Sequence, residues 1–365
     1  MSFASGNIVQ EGLNKTVPKY ANFPSSWCVV GGSGTLGTVL IDYLIEAGAQ
    51  SIKVLDLRPY SGRYASDPRV ISVVGSASDR SKADQAVQDC TAVVMAVTPH
   101  ISTAPWGLFV SANVHGTQTL LNASRASGCV KAFIAVSSIA VYNHFVEHFN
   151  ADESFKLPEI DEYRSPYDLT KRLAEDLVLQ SDEDRPGGMR TVALRPGGIL
   201  MGPADYALEG FFKQGVTPFE GKPIDFTFGR NVCHAIALAA GDLLNSEGSK
   251  AAGKALLVSK GEAASIGQVC RDLGRRLNKK VPVVPSLIMF MVSIHSMIKH
   301  AYLSVFYPHK APGIPTHQFL AISNYTQTFD NSLARKLIGF EPTYSYSETL
   351  DVIAEMHKRS LKKSG

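Results

Sequence analysis

Short apolar runs rich in β-branched residues alternate with helical patterns over the first two hundred residues. The runs have the length of buried strands, whereas the longer segments repeat apolar residues every three or four positions, as helices do. Strands are predicted at 27–30, 51–56, 70–74, 91–96, 130–136 and 190–194. Helices are predicted at 36–47, 80–89, 105–127 and 163–180. Such alternation gives parallel strands joined by right-handed crossovers, so the pattern predicts an α/β fold with a doubly wound parallel (Rossmann) sheet.

The turn between the first strand and the first helix is rich in glycine. Such a turn lets backbone N–H groups approach a pyrophosphate at the positive end of the helix dipole. Asp56 closes the second strand, where an acidic side chain accepts hydrogen bonds from a ribose diol. The predicted cofactor contacts here are Gly31, Ser33, Gly34, Thr35, Leu36, Gly37 and Asp56. Because Asp56 repels a 2′-phosphate, NAD is favoured, although Arg58 two residues later leaves NADP open.

The pattern loosens after Pro196, and only a strand at 255–259 and a helix at 266–277 are clear. Three parts are therefore predicted. Residues 1–26 form a loose leader, 27–200 a dinucleotide-binding domain with the catalytic residues, and 201–365 a smaller substrate lobe that returns partly to the sheet. Ligands of such sheets lie at the carboxyl ends of the strands, so we expect the lobe to cover that end.

The segment 286–307 is the most apolar part of the chain. Its length nearly suffices to span a bilayer, but His295, Lys299 and His300 interrupt it. Two interpretations stay open. One is a buried or substrate-lining helix, and the other is a helix that contacts a membrane surface.

Composition narrows the function classes. The chain has 365 residues, of which 45% are apolar and 19% charged, which is typical of a globular protein. A net charge of +3 is too small to indicate nucleic-acid binding, and none is expected. The five scattered cysteines lack metal-ligand spacing, so no metal is expected, and they suit reduced thiols facing the cytosol.

A second motif, 165–171, begins the helix that precedes the predicted strand at 190–194. Tyr167 and Lys171 are four residues apart, so their side chains share one helix face. We expect the Lys171 ammonium to lower the pKa of the Tyr167 phenol towards a useful range for proton transfer. Ser137 and Ser138 follow the fifth strand, where a hydroxyl can face the cleft and hydrogen-bond a substrate oxygen. These groups suit removal of an alcohol proton while hydride leaves for a nicotinamide.

These motifs together resemble the extended short-chain dehydrogenases/reductases, and within them the 3β-hydroxysteroid dehydrogenase and sterol-4α-carboxylate 3-dehydrogenase (decarboxylating) group. Similar stretches include 113–117, 194–199, 225–235 and 328–340. The resemblance implies that Tyr167 is the general acid/base, that Lys171 also holds the nicotinamide ribose, and that Ser138 rather than Ser137 orients the substrate. It places Pro196 beside the nicotinamide. Asn113 either supports a proton relay or only satisfies helix backbone.

The resemblance implies NAD(P)-dependent oxidation of a 3β-type alcohol on a sterol or terpenoid, with or without loss of a neighbouring 4-carboxyl. The alternatives are an NADPH-dependent ketone or aldehyde reductase, a nucleotide-sugar epimerase and a non-catalytic cofactor-sensing protein. The expected partner is a hydrophobic small molecule, and a homodimer is compatible with the sequence. The expected location is the cytoplasmic face of the endoplasmic reticulum membrane, or otherwise the cytosol.

Overall fold

A computed structural model describes residues 15–101, 103–202, 205, 208–217, 219–259, 261–307, 310–312 and 316–364. Seven parallel strands form its main sheet, in the order β3-β2-β1-β4-β5-β7-β10. Their bounds are β1 Ser26–Val30, β2 Ser51–Asp56, β3 Val70–Val74, β4 Ala92–Met95, β5 Ala132–Val136, β7 Arg190–Pro196 and β10 Lys254–Val258. The order reverses between β1 and β4, which places a crevice at their carboxyl ends.

Helices cover both faces of this sheet. Five of them supply most of the cover: α1 Thr35–Ala47, α2 Arg80–Val87, α4 Gly116–Ser127, α5 Pro166–Leu179 and α7 Gly229–Leu243. Apolar residues of α1 and α7 are buried on one face, and those of α2 and α4 on the other. The predicted doubly wound α/β fold is confirmed.

The helix predicted at 105–127 is interrupted. It begins as α3 Trp106–Phe109, passes through a π-helical turn at Val110–His115 and continues as α4. Such π-helical turns inside helices are rare and frequently lie at functional sites. The interruption falls at Asn113, one of the predicted site residues.

The structure contains further elements that the sequence pattern did not predict, most of them in the second half of the chain. A smaller sheet has the order β11-β9-β12-β6, and a further strand, β8, pairs with β9. The strands are β6 His148–Ala151, β8 Gly198–Leu200, β9 Ile224–Phe228, β11 Ala263–Ala264 and β12 Gln327–Phe329. The remaining helices are α6 Glu209–Gln214, α8 Ile266–Arg276, α9 Ser286–Phe306, α10 Thr316–Ile322, α11 Ser332–Ile338 and α12 Tyr346–Ser364. Because β10 completes the main sheet and α7 covers it, residues 229–258 lie with the first half of the chain.

Residues 15–26 pack against the body of the protein, unlike the loose leader expected from the sequence. Val17, Tyr20 and Phe23 lie against the core, and the Tyr20 hydroxyl is 2.6 Å from Nδ1 of His234 on α7. Residues 1–14 of the expected leader lie outside the described residues. The apolar side chains in this segment explain why it follows the surface of α1 and α7.

Helix α9 is not the buried or substrate-lining helix that the sequence allowed. Its large apolar side chains are exposed, and none of its residues lines the cavity described below. It is long and apolar enough to cross a membrane by length and composition. Among the described elements, its main packing partner is the short helix α10. One contact between them joins Ser296 and His317. Of the two interpretations that the sequence leaves open, the buried or substrate-lining helix is therefore contradicted, because apolar character alone does not supply a partner surface.

Candidate active site

A cavity of about 650 Å³ opens at the carboxyl ends of the main-sheet strands. This volume lies in the usual range for small-molecule sites. Ten of the twelve residues predicted for the site line it: Gly31, Gly34, Thr35, Leu36, Gly37, Asp56, Ser138, Tyr167, Lys171 and Pro196. Ser33 and Asn113 lie outside the lining. The fold thus brings residues that are up to 165 positions apart in the sequence around one space.

The glycine turn has the shape that a pyrophosphate needs. Gly31 has φ +84°, and a Cβ on Gly37 would lie 2.2 Å from the Gly31 carbonyl oxygen, so neither position accepts a side chain without distortion. Gly34 caps α1 without a side-chain hydrogen bond, and the first turn of α1 carries no acidic residue. The first residues of α1 therefore line the cavity, and no carboxylate of the helix's own first turn competes for their N–H groups.

Asp56 is oriented by the backbone around it. Its carboxylate accepts hydrogen bonds from the N–H of Ser33 at 3.0 Å and of Arg58 at 3.2 Å. The Arg58 guanidinium donates to the Ser33 carbonyl at 3.3 Å. Ser33 thus supports Asp56 and Arg58 and does not line the cavity itself. This geometry suits a ribose diol against Asp56, and it keeps the Arg58 charge at the same end of the cavity.

Tyr167 lies in the first turn of α5. Ser165 caps this helix and Pro166 occupies its first position, as the sequence predicts. The Tyr167 hydroxyl is hydrogen-bonded to Ser138, which lowers its pKa, but burial outweighs this bond and raises the pKa of Tyr167 to about 12. The expected lowering of this pKa by Lys171 is not found. Desolvation raises the pKa of the phenol by more than the hydrogen bond from Ser138 lowers it.

Lys171 holds the strand ends together. Its Nζ donates to the carbonyl oxygens of Val136 at 2.9 Å and Val97 at 3.4 Å. Burial lowers the pKa of Lys171 to about 8, although Glu175 opposes this shift. The ammonium therefore connects the carboxyl ends of β4 and β5, and Lys171 lines the cavity together with Tyr167.

Asn113 lies in the π-helical turn and faces α5. Its Nδ2 donates to Thr170 Oγ1 at 3.0 Å, and its Oδ1 is buried without a hydrogen-bond partner among the described residues. Thr170 precedes Lys171, so Asn113 contacts the helix that carries both predicted catalytic side chains. The geometry places it behind the site and not in the cavity.

A buried ionic network near the cavity was missed by the sequence reasoning. Arg195 on β7 donates to both oxygens of Glu175 on α5, at 2.6 and 3.0 Å, and to the Tyr142 hydroxyl at 2.6 Å. Ser137 donates to Glu175 at 2.6 Å. The network ties β5, α5 and β7 together, and it explains why Ser137 is engaged while Ser138 is left for the cavity. An arginine inside an otherwise apolar strand was the available signal, because a buried charge needs a partner.

The sequence did not indicate that two further acidic residues, Asp168 and Asp205, have roles near the cavity. Asp168 contacts His144, which lines the cavity, with Oδ1 3.1 Å from Nδ1. Asp205 also lines the cavity, accepts a hydrogen bond from the Gly202 N–H at 2.8 Å, and has its pKa raised to about 7 by burial. Both contacts depend on loops whose course the sequence pattern does not predict.

The fold and the cavity define an α/β protein of the dinucleotide-binding class with a Ser-Tyr-Lys group beside the nucleotide crevice. The chain belongs to the 3-beta hydroxysteroid dehydrogenase/isomerase family, whose profile matches residues 28–282. The family predicted from the sequence, and with it the prediction of a dehydrogenase, is confirmed.

Individual relatives agree with this family. The sterol-4-alpha-carboxylate 3-dehydrogenase, decarboxylating, of Candida albicans is 31% identical over 233 residues, 60% of this chain and 65% of that protein. The chain thus spans just under two thirds of that relative's length. The 2-alkyl-3-oxoalkanoate reductase of Stenotrophomonas maltophilia is 31% identical over 259 residues, 67% of this chain and 73% of that protein. The dTDP-glucose 4,6-dehydratase of Streptomyces venezuelae, solved with NAD, has a TM-score of 0.67 at 18% identity, covers 92% of this chain and 98% of its own, and is similar in fold alone.

Proposed function

We propose that this protein is an NAD-dependent dehydrogenase that oxidises a secondary alcohol on a hydrophobic substrate, a 3β-hydroxy sterol or terpenoid. One observation carries the proposal. The glycine turn and Asp56 line the same cavity as Ser138, Tyr167 and Lys171. A nucleotide site and a proton-transfer site in one cavity are what hydride exchange with an alcohol requires.

The residues at the far side of the cavity favour a hydrophobic substrate. Apolar side chains dominate the lining away from the glycine turn: Ile101, Leu108, Ile139, Met201, Phe219, Ile224, Phe226 and Ile266. Several come from β9, α8 and the segment before β9, so the second half of the chain supplies this wall. An apolar wall with few polar groups suits a polycyclic skeleton.

The proposed roles are those that the family resemblance implies, and the contacts in the cavity support them. Ser138 hydrogen-bonds the substrate oxygen, and Tyr167 takes the hydroxyl proton, with Lys171 as the adjacent cation. Because burial raises the pKa of Tyr167 to about 12, the phenol starts neutral and needs positive charge beside it to ionise. When bound, the nicotinamide of NAD accepts the hydride. Asn113 supports α5 from behind.

NAD fits Asp56 better than NADP does. Its carboxylate is held towards the cavity by two backbone N–H groups, so a 2′-phosphate there would meet a fixed negative charge. Arg58 lies alongside but is turned onto the Ser33 carbonyl. We therefore expect a clear preference for NAD with measurable activity with NADP.

The substrate proposed carries a carboxyl group on the carbon next to the carbinol. The names of the two relatives support this, since one substrate is a 3-hydroxy sterol with a 4-carboxylate and the other a 3-oxo acid with its carboxylate on carbon 2. Oxidation of such an alcohol gives a β-keto acid. When carbon dioxide leaves, the new ketone accepts the electron pair, so this step needs no further residue.

Exposed α9 is proposed to contact a membrane. Its length, its apolar composition and the exposure of its side chains all favour a lipid surface as the covering group. A location at the cytoplasmic face of the endoplasmic reticulum membrane is consistent with such a contact. The alternative is that a second copy of the chain covers the exposed face of α9, as in a homodimer.

The experiment is a tritium-transfer assay with the purified chain. A 3β-hydroxy sterol labelled at C3 is incubated with NAD or NADP, with and without a 4α-carboxyl group. We expect tritium to appear in NADH, faster with the carboxylated sterol, and carbon dioxide to be released from it. No transfer from any 3β-hydroxy sterol would overturn the proposal.

The reductase of Stenotrophomonas maltophilia favours a second candidate, reduction of a 2-alkyl-3-oxo acid. The same cavity performs this reaction in reverse. Oxidation of NADPH or NADH by such an acid, in the absence of any transfer from sterols, would select this candidate.

A further inference from the structure

His144 lies in the segment that follows β5 and faces the cavity. A short 3-10 turn at Ile139–Tyr142 leads to Asn143, whose φ of +71° turns the chain towards α5. The His144 side chain keeps 16% of its surface accessible and lines the cavity. It is therefore buried on one side and open to a ligand on the other.

Asp168 fixes the orientation of the His144 ring. Its Oδ1 lies 3.1 Å from His144 Nδ1, and its Oδ2 accepts a hydrogen bond from the His144 N–H at 3.3 Å. A carboxylate only accepts hydrogen bonds, so Nδ1 carries a proton. Among the described residues no hydrogen bond to Nε2 is found, and the ring keeps part of its surface open at the cavity lining, which leaves Nε2 as the ring nitrogen that a ligand can bond.

The same contact fixes His144 relative to Tyr167. The two rings are nearly parallel, with an interplanar angle of 4° and centroids 6.4 Å apart. Asp168 directly follows Tyr167 in α5, so one helical turn holds both rings. A substrate whose alcohol oxygen meets Tyr167 therefore has the His144 ring as a close neighbour of its reacting end.

The described cavity lining contains three side chains able to carry positive charge: Arg58, Lys171 and His144. Arg58 lies at the Asp56 end, bonded to Ser33. Lys171 is committed to the carbonyls of β4 and β5. Within the described lining, His144 is therefore the remaining side chain that, when protonated, can pair with a negative group on the substrate.

We propose that His144 binds the substrate carboxylate through Nε2 and selects alcohols with a carboxylate on the neighbouring carbon. This inference rests on the proposed function and names its substrate class, α-substituted β-hydroxy acids. When both ring nitrogens carry a proton, the ring donates to Asp168 from Nδ1 and to the substrate carboxylate from Nε2. Asp168 is a positioning residue that sets the tautomer and the ring orientation.

The test compares a 3β-hydroxy sterol 4α-carboxylate with its 4α-carboxamide. His144→Asn places an amide nitrogen near the Nδ1 position, so the bond to Asp168 is kept while the Nε2 contact is lost. We expect the ratio of kcat/KM for acid over amide to fall about 10- to 100-fold, the usual range for a hydrogen bond to a charged group. His144→Gln, which keeps a neutral donor near the Nε2 position, should restore part of this ratio. His115→Asn, on the exposed side of the π-helical turn, is the matched control and should leave the ratio unchanged.

A binding measurement separates selection from turnover. Calorimetry with NADH and the unreacted acid gives the affinity of a complex that cannot react. Weaker binding of the acid, with unaltered binding of the amide, in His144→Asn supports the proposal. An unchanged acid-to-amide ratio in both measurements overturns it. If the unsubstituted protein oxidises neither compound, the proposed function itself fails, which is a different outcome.

Discussion

Helices α1 and α9 are both rich in large apolar residues, yet their surroundings differ completely. In α1, residues from Val39 to Ile45 are buried, because the helix packs against the main sheet and beside α7 on the same face. In α9, Leu287, Ile298 and Val305 project from the protein surface. The difference lies in the elements around them and not in the helices themselves.

This contrast separates two kinds of surface. In the first half, the apolar faces of the helices that cover the sheet are buried, and the polar side chains of Tyr167 and Lys171 line one cavity. In the second half, α9 leaves an apolar face exposed, and such faces mark contacts with lipid or with another protein. The four predictions below test this contrast, from the largest expected effect to the smallest.

The largest effect is expected in the cavity. Tyr167→Phe removes the proposed proton acceptor and should lower kcat by about 10²–10⁴-fold, the usual contribution of general acid–base catalysis. Its stability should hardly change, because the hydroxyl is bonded only to Ser138 among the groups that shift its pKa. Tyr163→Phe is the control, since the Tyr163 hydroxyl donates to the Val141 carbonyl outside the cavity lining. Equal losses in both variants would contradict the proposed role.

A pair of identical substitutions tests the difference in burial. Leu44 on α1 has no exposed surface, whereas Leu287 on α9 is 69% exposed. Leu44→Ala should lower the free energy of unfolding by about 2–5 kcal/mol, since it leaves a cavity in a packed core. Leu287→Ala should change it by less than about 0.5 kcal/mol. Denaturant titration of both variants gives the values, and a large loss in Leu287→Ala would show that α9 is covered in solution.

The exposed face of α9 should control lipid binding. Leu287, Ile298 and Val305 lie on one side of the helix, since eleven and eighteen residues are close to whole numbers of turns. Replacing all three by serine should reduce partitioning onto phosphatidylcholine vesicles roughly 100-fold or more, because each side chain contributes through its buried apolar area. Sedimentation with vesicles measures this. If the unsubstituted chain stays in the supernatant as a dimer, a second copy covers α9 instead.

The smallest effect concerns the acid stability of the α1–α7 contact. Burial lowers the pKa of His234 to about 4, so the folded protein keeps this ring neutral where the unfolded chain protonates it, below about pH 6.5. Stability is therefore lost as the pH falls from 6.5 towards 4, by ~2 kcal/mol from this group. His234→Asn keeps an acceptor for Tyr20 without the titration, so its unfolding free energy should fall less over this range. Parallel pH curves for the two proteins would exclude His234 as the cause.

The sheet of the first half could be predicted because its signals are local. Each strand is a short apolar run, and each helix carries its own period, so β2 and β3 were located to the residue. The glycine turn and the Tyr167–Lys171 pair could be found for the same reason, since their spacing alone fixes a turn and a helix face. The interruption of the long helix at Asn113 could not be found, because a π-helical turn depends on the contact with Thr170 across to α5.

The sequence by itself determined the α/β class and the nucleotide turn, and it located the residues proposed for proton transfer, because these signals depend on neighbours a few positions apart. Only the tertiary structure decided that Tyr167 has a raised pKa, that Arg195 and Glu175 form a buried pair, that Asp168 holds the His144 ring at the cavity lining, and that α9 is exposed. These properties depend on how far each group is desolvated and on which distant element packs against it. Neither can be derived from residues that are neighbours in the sequence.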